Sequence, residues 1–195
     1  MKIVIIVLAA AALAAAVTCL AGCVGHKQQD PPVCGGVTDK TDPKAPKTIK
    51  SKDIASLKVN IIFTGERVQK DGYMEEFSFA VAKDKDGALT ASEKTTGVSL
   101  PADKALLDKL QEVIDSAKLA ERNGVYRVTA GLPPIFSPQS FTAVYASGEK
   151  LTFTENNDPD AEWCEQLYGV FADWFASKGE NGLKPLPEKE RPAKE

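Results

Sequence analysis

The sequence predicts an α+β two-layer sandwich, a mainly antiparallel sheet of five or six strands with two amphipathic helices on one face, in the order β-β-β-α-β-β-α. Three observations lead there. Apolar and polar residues alternate over several short stretches, the period of strands buried on one side. Two other stretches space their apolar residues by threes and fours, the period of helices with a single buried stripe. Turn residues separate neighbouring strands closely enough for hairpins, which favours antiparallel pairing.

The first strand is read from Leu57, Val59, Ile61 and Phe63, which alternate with Lys58, Asn60, Ile62 and Thr64. Phe77, Phe79 and Val81 give the second, and Asp84-Lys85-Asp86-Gly87 turns the chain into a third from Ala88 to about Lys94. From Ala102 the period becomes helical: Leu106, Leu110, Val113 and Ala117 form a stripe flanked by Leu107 and Ile114, with Pro101 and Asp103 suited to its start. Asn123-Gly124 then reverses the chain. Phe141, Ala143 and Tyr145 make the next strand, Ser147-Gly148 its turn, and Leu151 and Phe153 the return. Asp158-Pro159 is expected to open the last helix, with Asp158 accepting the free amide hydrogens of the first turn. Its stripe is Trp163, Leu167, Val170, Phe171, Trp174 and Phe175, and Gly179 supplies the stop. Both tryptophans are therefore core residues by expectation. Lys58, Asn60, Ser78, Thr142, Thr152 and Thr154 fall on the opposite, wet face of the sheet.

Four regions follow: a leader over 1–22, a tether over 23–50, the folded domain over 51–180 and a disordered tail over 181–195. Lys2 precedes an unbroken apolar run from Ile3 to Val17, and Leu20-Ala21-Gly22-Cys23 closes it. A membrane-spanning helix would need roughly 20 apolar residues, a length Ile3 to Val24 just reaches. Small residues before Cys23, and only Lys27 as a following base, favour a cleaved secretory signal instead. The tetrapeptide resembles the lipobox of bacterial lipoproteins. That resemblance implies cleavage before Cys23, a diacylglycerol thioether on its thiol, and residence on the extracytoplasmic face of the cell membrane. Each buried methylene of such an anchor contributes about 0.8 kcal/mol, so two chains hold firmly. Val24 to Lys50 carries four prolines, two glycine pairs' worth of breaks at Gly35-Gly36 and Gly25, and no apolar periodicity; as a coil its reach would be on the order of 30 Å. The domain also resembles uncharacterised lipoproteins of anaerobic Gram-positive bacteria in Asn123-Gly124, Gly131-Leu132-Pro133 and the Tyr145 to Asn157 stretch with its Ser147-Gly148-Glu149-Lys150 turn. This second resemblance implies no activity.

Charge and chemistry narrow the function by exclusion. Residues 51–180 hold 14 Lys and Arg against 21 Asp and Glu, a net charge of −7, which argues against nucleic acid as a partner. No zinc-protease, nucleophile-elbow, phosphate-loop or dinucleotide motif is present, and the one histidine, His26, lies in the tether. Histidine-dependent hydrolysis and histidine-held zinc are thereby disfavoured; no cofactor is expected. Asp84-x-Asp86-Gly87 resembles the opening of a calcium loop, yet its twelfth position is Thr95 rather than an acid. Glu155 to Asp160 is richer in oxygen ligands but equally suits a turn before a helix. Cys34 and Cys164 are the one possible disulfide after lipidation, with burial of Cys164 as a small apolar residue the competing reading.

One segment stands out for binding. Val125 to Gln139 has three prolines and is long for a loop inside a compact domain, so it either packs down as a lid or works as a contact surface. Tyr126, Arg127, Ile135 and Phe136 from this segment, with Asn157 and Asp158 from the following turn, are the candidate binding residues; Cys23 is the lipidation site. The expectation is an anchored extracytoplasmic binding or scaffolding module whose partner is an envelope protein or glycan. A carboxylate-only envelope enzyme, for example a glycan-active one, and a structural envelope factor are the alternatives.

Overall fold

The computed structural model describes residues 36–68, 74–83, 86, 88–129, 138–156 and 158–187, all within the unit Cys34–Glu195. The leader, Cys23 and Cys34 lie outside the described residues. Along the chain run β1 (Val37–Asp39), β2 (Ile54–Thr64), a single turn α1 (Gly65–Val68), β3 (Met74–Lys83), β4 (Leu89–Glu93), β5 (Ser99–Pro101) and α2 (Lys104–Ser116). A 3-10 turn (Leu119–Arg122), β6 (Tyr126–Thr129), β7 (Gln139–Tyr145), β8 (Lys150–Glu155) and α3 (Glu162–Ser177) complete it.

These strands form one sheet of eight in the order β1-β6-β8-β7-β2-β3-β4-β5. It is mixed: β6 runs parallel to β8, and every other neighbouring pair is antiparallel. The expected sheet of five or six strands is thus too small, and β-β-β-α-β-β-α is not the order of elements. What escaped are β1, β5 and β6, each three or four residues long, too short to show a period of two. They are recruited by backbone pairing to the sheet margins, a contribution that side-chain patterning does not encode.

Where strands are long, alternation does place the core. Leu57, Val59, Ile61 and Phe63 of β2, Phe77, Phe79 and Val81 of β3, Phe141, Ala143 and Tyr145 of β7, and Leu151 and Phe153 of β8 form one buried cluster with Leu106, Leu110 and Ile114 of α2 and the stripe of α3. Aromatic rings organise it. Phe79 stacks on Phe171 at 4.5 Å between centroids and Phe141 on Phe153 at 5.5 Å, while Trp163 meets both Phe141 and Phe153 edge-on. Such pairs add about 0.5–1.5 kcal/mol each beyond simple burial. Trp163 and Trp174 are both buried, as their places in the stripe predict.

The helix starts divide. Asp103 caps α2 as expected: its Oδ1 accepts the Leu106 amide at 2.9 Å, and the same carboxylate accepts Trp174 Nε1 at 3.1 Å and Lys178 Nζ at 2.8 Å, tying α3 to α2. Those donors, Lys178 first, hold the carboxyl below its usual range. Asp158, by contrast, does not cap α3, which begins at Glu162 after Ala161. The intervening Asp160 adopts a left-handed φ of 62° and turns its carboxylate onto the Thr64 amide and hydroxyl, both at 2.8 Å. Docking the turn on the end of β2 therefore takes precedence over a local cap.

Both flanks expected to be free are docked along their described parts. Residues 36–50, assigned to the tether, include β1 and lie along β6, and residues 181–187, assigned to the tail, bury Leu183 and pack Leu186 on the core.

Candidate functional site

The second face of the sheet has no helix on it, and alternation fills it with small polar side chains. Strand register sets them in a row: Ser78 on β3 faces Asn60 on β2, Asn60 faces Ser140 on β7, Ser140 faces Thr154 on β8, and Thr154 faces Tyr126 on β6. Five strands at about 4.8 Å spacing make the row roughly 19 Å long. A second row behind it runs Ser92, Ala80, Lys58, Thr142 and Thr152. Between and around them lies an open trough of about 710 Å³, lined also by Glu76, Lys94 and Pro138.

Some of the polar groups are satisfied within the face. Ser78 Oγ donates to Asn60 Oδ1 at 2.7 Å, Asn60 Nδ2 donates to the Pro138 carbonyl at 3.1 Å, and the Thr142 and Thr152 hydroxyls meet at 2.9 Å. This fixes Asn60, the buried member of the row, and leaves Ser140 and Thr154 half-exposed. Glu93 also borders the trough, but its carboxylate accepts the Thr95 and Thr96 amides and the Thr96 hydroxyl, and it is buried. It holds a turn and is not available to a ligand.

The candidate residues read from sequence separate. Tyr126 ends the row and lines the trough, with Lys40 Nζ 5.8 Å above its ring. Arg127, its neighbour in the strand, alternates away and pairs with Asp39 of β1 at 3.0 Å. Asp158 is exposed beside a different depression, of about 310 Å³, with Arg122, Glu162 and Trp163. Ile135, Phe136 and Asn157 lie outside the described residues. The predicted meeting of the 125–139 segment with the following turn does occur at one point: Asn156 Oδ1 accepts the Thr129 amide and hydroxyl at 2.9 and 3.2 Å. Part of that segment is β6, not loop.

No family model matches the chain, and no curated protein or solved structure is similar to it.

Lys58, Asn60, Ser78, Thr142, Thr152 and Thr154 lie on the open face where alternation put them. Ser140 belongs with them by the same rule. Lys94 and Glu76 were missed, since their place depends on how β3 and β4 pair rather than on a local pattern. The metal readings find no support in geometry. Glu155 pairs with Arg122 at 2.7 Å, Asn156 serves Thr129 and Asp160 serves Thr64, so the oxygens of this turn diverge. Among the described residues, no three His, Cys, Asp or Glu side chains come together to hold an ion. Cys164 is a buried free thiol that accepts Gln139 Nε2 at 3.3 Å, and burial raises its pKa far above the ordinary thiol value. A thiol held neutral in this way is a poor nucleophile.

Proposed function

We propose that the protein is a lipid-anchored binding module of the extracytoplasmic membrane face, and that it binds through the open face of its sheet. The observation that carries the binding half is the polar row from Ser78 to Tyr126, a face of the sheet that carries no helix and that opens as a trough of about 710 Å³. Supporting the anchored half are Leu20-Ala21-Gly22-Cys23 and the apolar run before it. Thirteen residue steps separate Cys23 from Gly36, and a chain of that length extends at most about 45 Å. Docking of residues 36–50 therefore brings the sheet closer to the bilayer than a free tether reaching to Lys50 would allow.

Two experiments test the two halves. Cys23→Ala should shift the protein from the membrane fraction to the soluble extracytoplasmic fraction and abolish incorporation of labelled fatty acid; unchanged membrane retention would rule out the anchor. A photo-crosslinking side chain at Ser140, in the trough, should yield adducts from native membranes that the same group at Glu112, on the exposed side of α2, does not. Equal yields at both positions would remove the sheet face as the site.

A further inference from the structure

Three ammonium groups are spaced along the polar row. Lys94 stands at the Ser78 end, where its amide donates to the Ser78 carbonyl at 3.0 Å. Lys58 stands beside the middle, one pleat from Asn60 on β2. Lys40 stands at the far end, over the Tyr126 ring. No carboxylate pairs with any of the three among the described residues. On a domain of net charge −7 this is a local reversal of sign, and three unpaired cations held along one line raise the local potential in a way scattered surface lysines do not.

Between the cations lie hydroxyl and amide groups: Ser78, Asn60, Ser140 and Thr154 in the first row, Ser92, Thr142 and Thr152 in the second. Large apolar side chains are scarce in the trough, which offers no socket for an aliphatic anchor of the kind that dominates protein interfaces. A ligand matching this surface is linear, rich in hydroxyls and charged negatively at intervals. We infer that the occupant is a segment of acidic polysaccharide, lying across the strands with its carboxylates toward Lys94, Lys58 and Lys40 and its hydroxyls toward the small polar side chains. The inference rests on the binding reading above and names the ligand class for the same face. An acidic peptide would satisfy the charges but leave the hydroxyl row without partners, and a neutral glycan would do the reverse.

The test is binding of three probes to the full-length lipidated protein in detergent micelles: an oligomer of galacturonic acid, the neutral galactose oligomer of the same length, and polyglutamate. The galacturonate oligomer should bind most tightly and lose affinity as salt rises. Lys58→Glu and Lys94→Glu, both at exposed positions, should each weaken it by about tenfold or more, the scale of one lost charge-assisted contact, whereas Lys109→Glu on α2 should not. Equal binding of the neutral oligomer, equal loss in Lys109→Glu, or no binding of the galacturonate oligomer would overturn the inference. Polyglutamate binding that alone responds to Lys58→Glu would also overturn it, yet would leave the sheet face as a binding surface. Failure of the Ser140 crosslink, in contrast, strikes the binding reading itself.

Discussion

The two flanks of the domain reach the same end by different physics. At the amino end, residues 36–50 are held mainly through backbone and amide hydrogen bonds. Asp42 donates its amide to the Gly124 carbonyl at 2.9 Å, Lys40 to that of Tyr126 at 2.9 Å, and Asn123 Nδ2 donates to the Pro46 carbonyl at 2.9 Å. The first strand residue, Val37, leaves 57% of its surface exposed, so hydrophobic burial contributes little there. At the carboxyl end, residues 181–187 are held mainly by apolar side chains, Leu183 buried and Leu186 packed on the core. Two carbonyl contacts supplement them: the Tyr168 hydroxyl donates to Lys184 O at 2.8 Å, and Arg67 donates to Pro187 O while its other nitrogens grip Glu165 at 2.9 and 3.2 Å. One flank depends on a receptor of defined polar geometry, the other on a surface that any leucine of the right size can cover. Substitutions in the receptor should accordingly do more damage than truncation of an apolar side chain.

Gly124→Val should have the largest effect. Gly124 has φ +80°, and a Cβ there would press against Ala45 Cβ and stand 2.7 Å from the Asp42 carbonyl oxygen. Left-handed strain and displaced contacts together cost about 4 kcal/mol. Urea denaturation should report that loss, and trypsin should gain access to Lys44 and Lys47, which the wild type protects. Cleavage no faster than wild type would mean that Gly124 does not hold the segment.

Asn123→Ala comes next, at about 3 kcal/mol. The buried amide donates to both Pro46 O and Lys150 O and accepts the Thr152 amide at 2.8 Å, so its removal orphans groups on two segments at once. Asn123→Asp separates shape from chemistry, because it keeps the acceptor and loses both donors. Equal stability of the Ala and Asp variants would assign the effect to the donors alone.

Leu183→Ala should cost less, about 2 kcal/mol, since the flank can settle onto the space left at the edge of the core. The loss should appear in thermal unfolding without new trypsin sensitivity at residues 44–47. Coupled loosening of both flanks would show that they are one cooperative unit and would erase the distinction drawn above.

How much of this was legible depends on length and on where each contact is stored. β2, β3, β7 and β8 span six to eleven residues with alternating burial, and both long helices carry clear stripes, so core and open face could be assigned residue by residue. β1 could not, because Val-Thr-Asp in a stretch of lysines and prolines reads as linker; what makes it a strand is stored at Asn123 and Gly124, some 80 residues away. Leu183 and Leu186, isolated among Gly and Pro, have no neighbours in sequence to form a stripe with. Tyr126 was singled out correctly as a site residue but for its place in a supposed loop, whereas its position at the end of a polar row follows from β6 pairing parallel to β8. Arg127 and Asp158 were drawn in by nearness along the chain, and the sheet sends them elsewhere.

The smallest predicted effect is one of pH at the same amino flank. Glu149, in the turn between β7 and β8, accepts the Lys50 amide at 3.0 Å, the Ser51 amide at 2.9 Å and the Ser147 hydroxyl at 2.9 Å. These donors, the Lys50 amide foremost, favour the carboxylate and hold the pKa of Glu149 below the ordinary glutamate value. A folded-state pKa lowered in this way means that the unfolded chain takes up the proton first as pH falls. The stabilisation is therefore complete above the ordinary glutamate range and declines as acid carries the solution down through it toward the lower folded value. Glu149→Gln removes the titration while keeping one acceptor oxygen, so the variant should be slightly less stable than wild type at neutral pH and should converge with it in acid. Denaturation curves of the two proteins between neutrality and the glutamate range measure this directly. A gap that stays constant or widens on acidification would mean that residues 50 and 51 are held by something other than the Glu149 charge, and the amino flank would then resemble the carboxyl one after all.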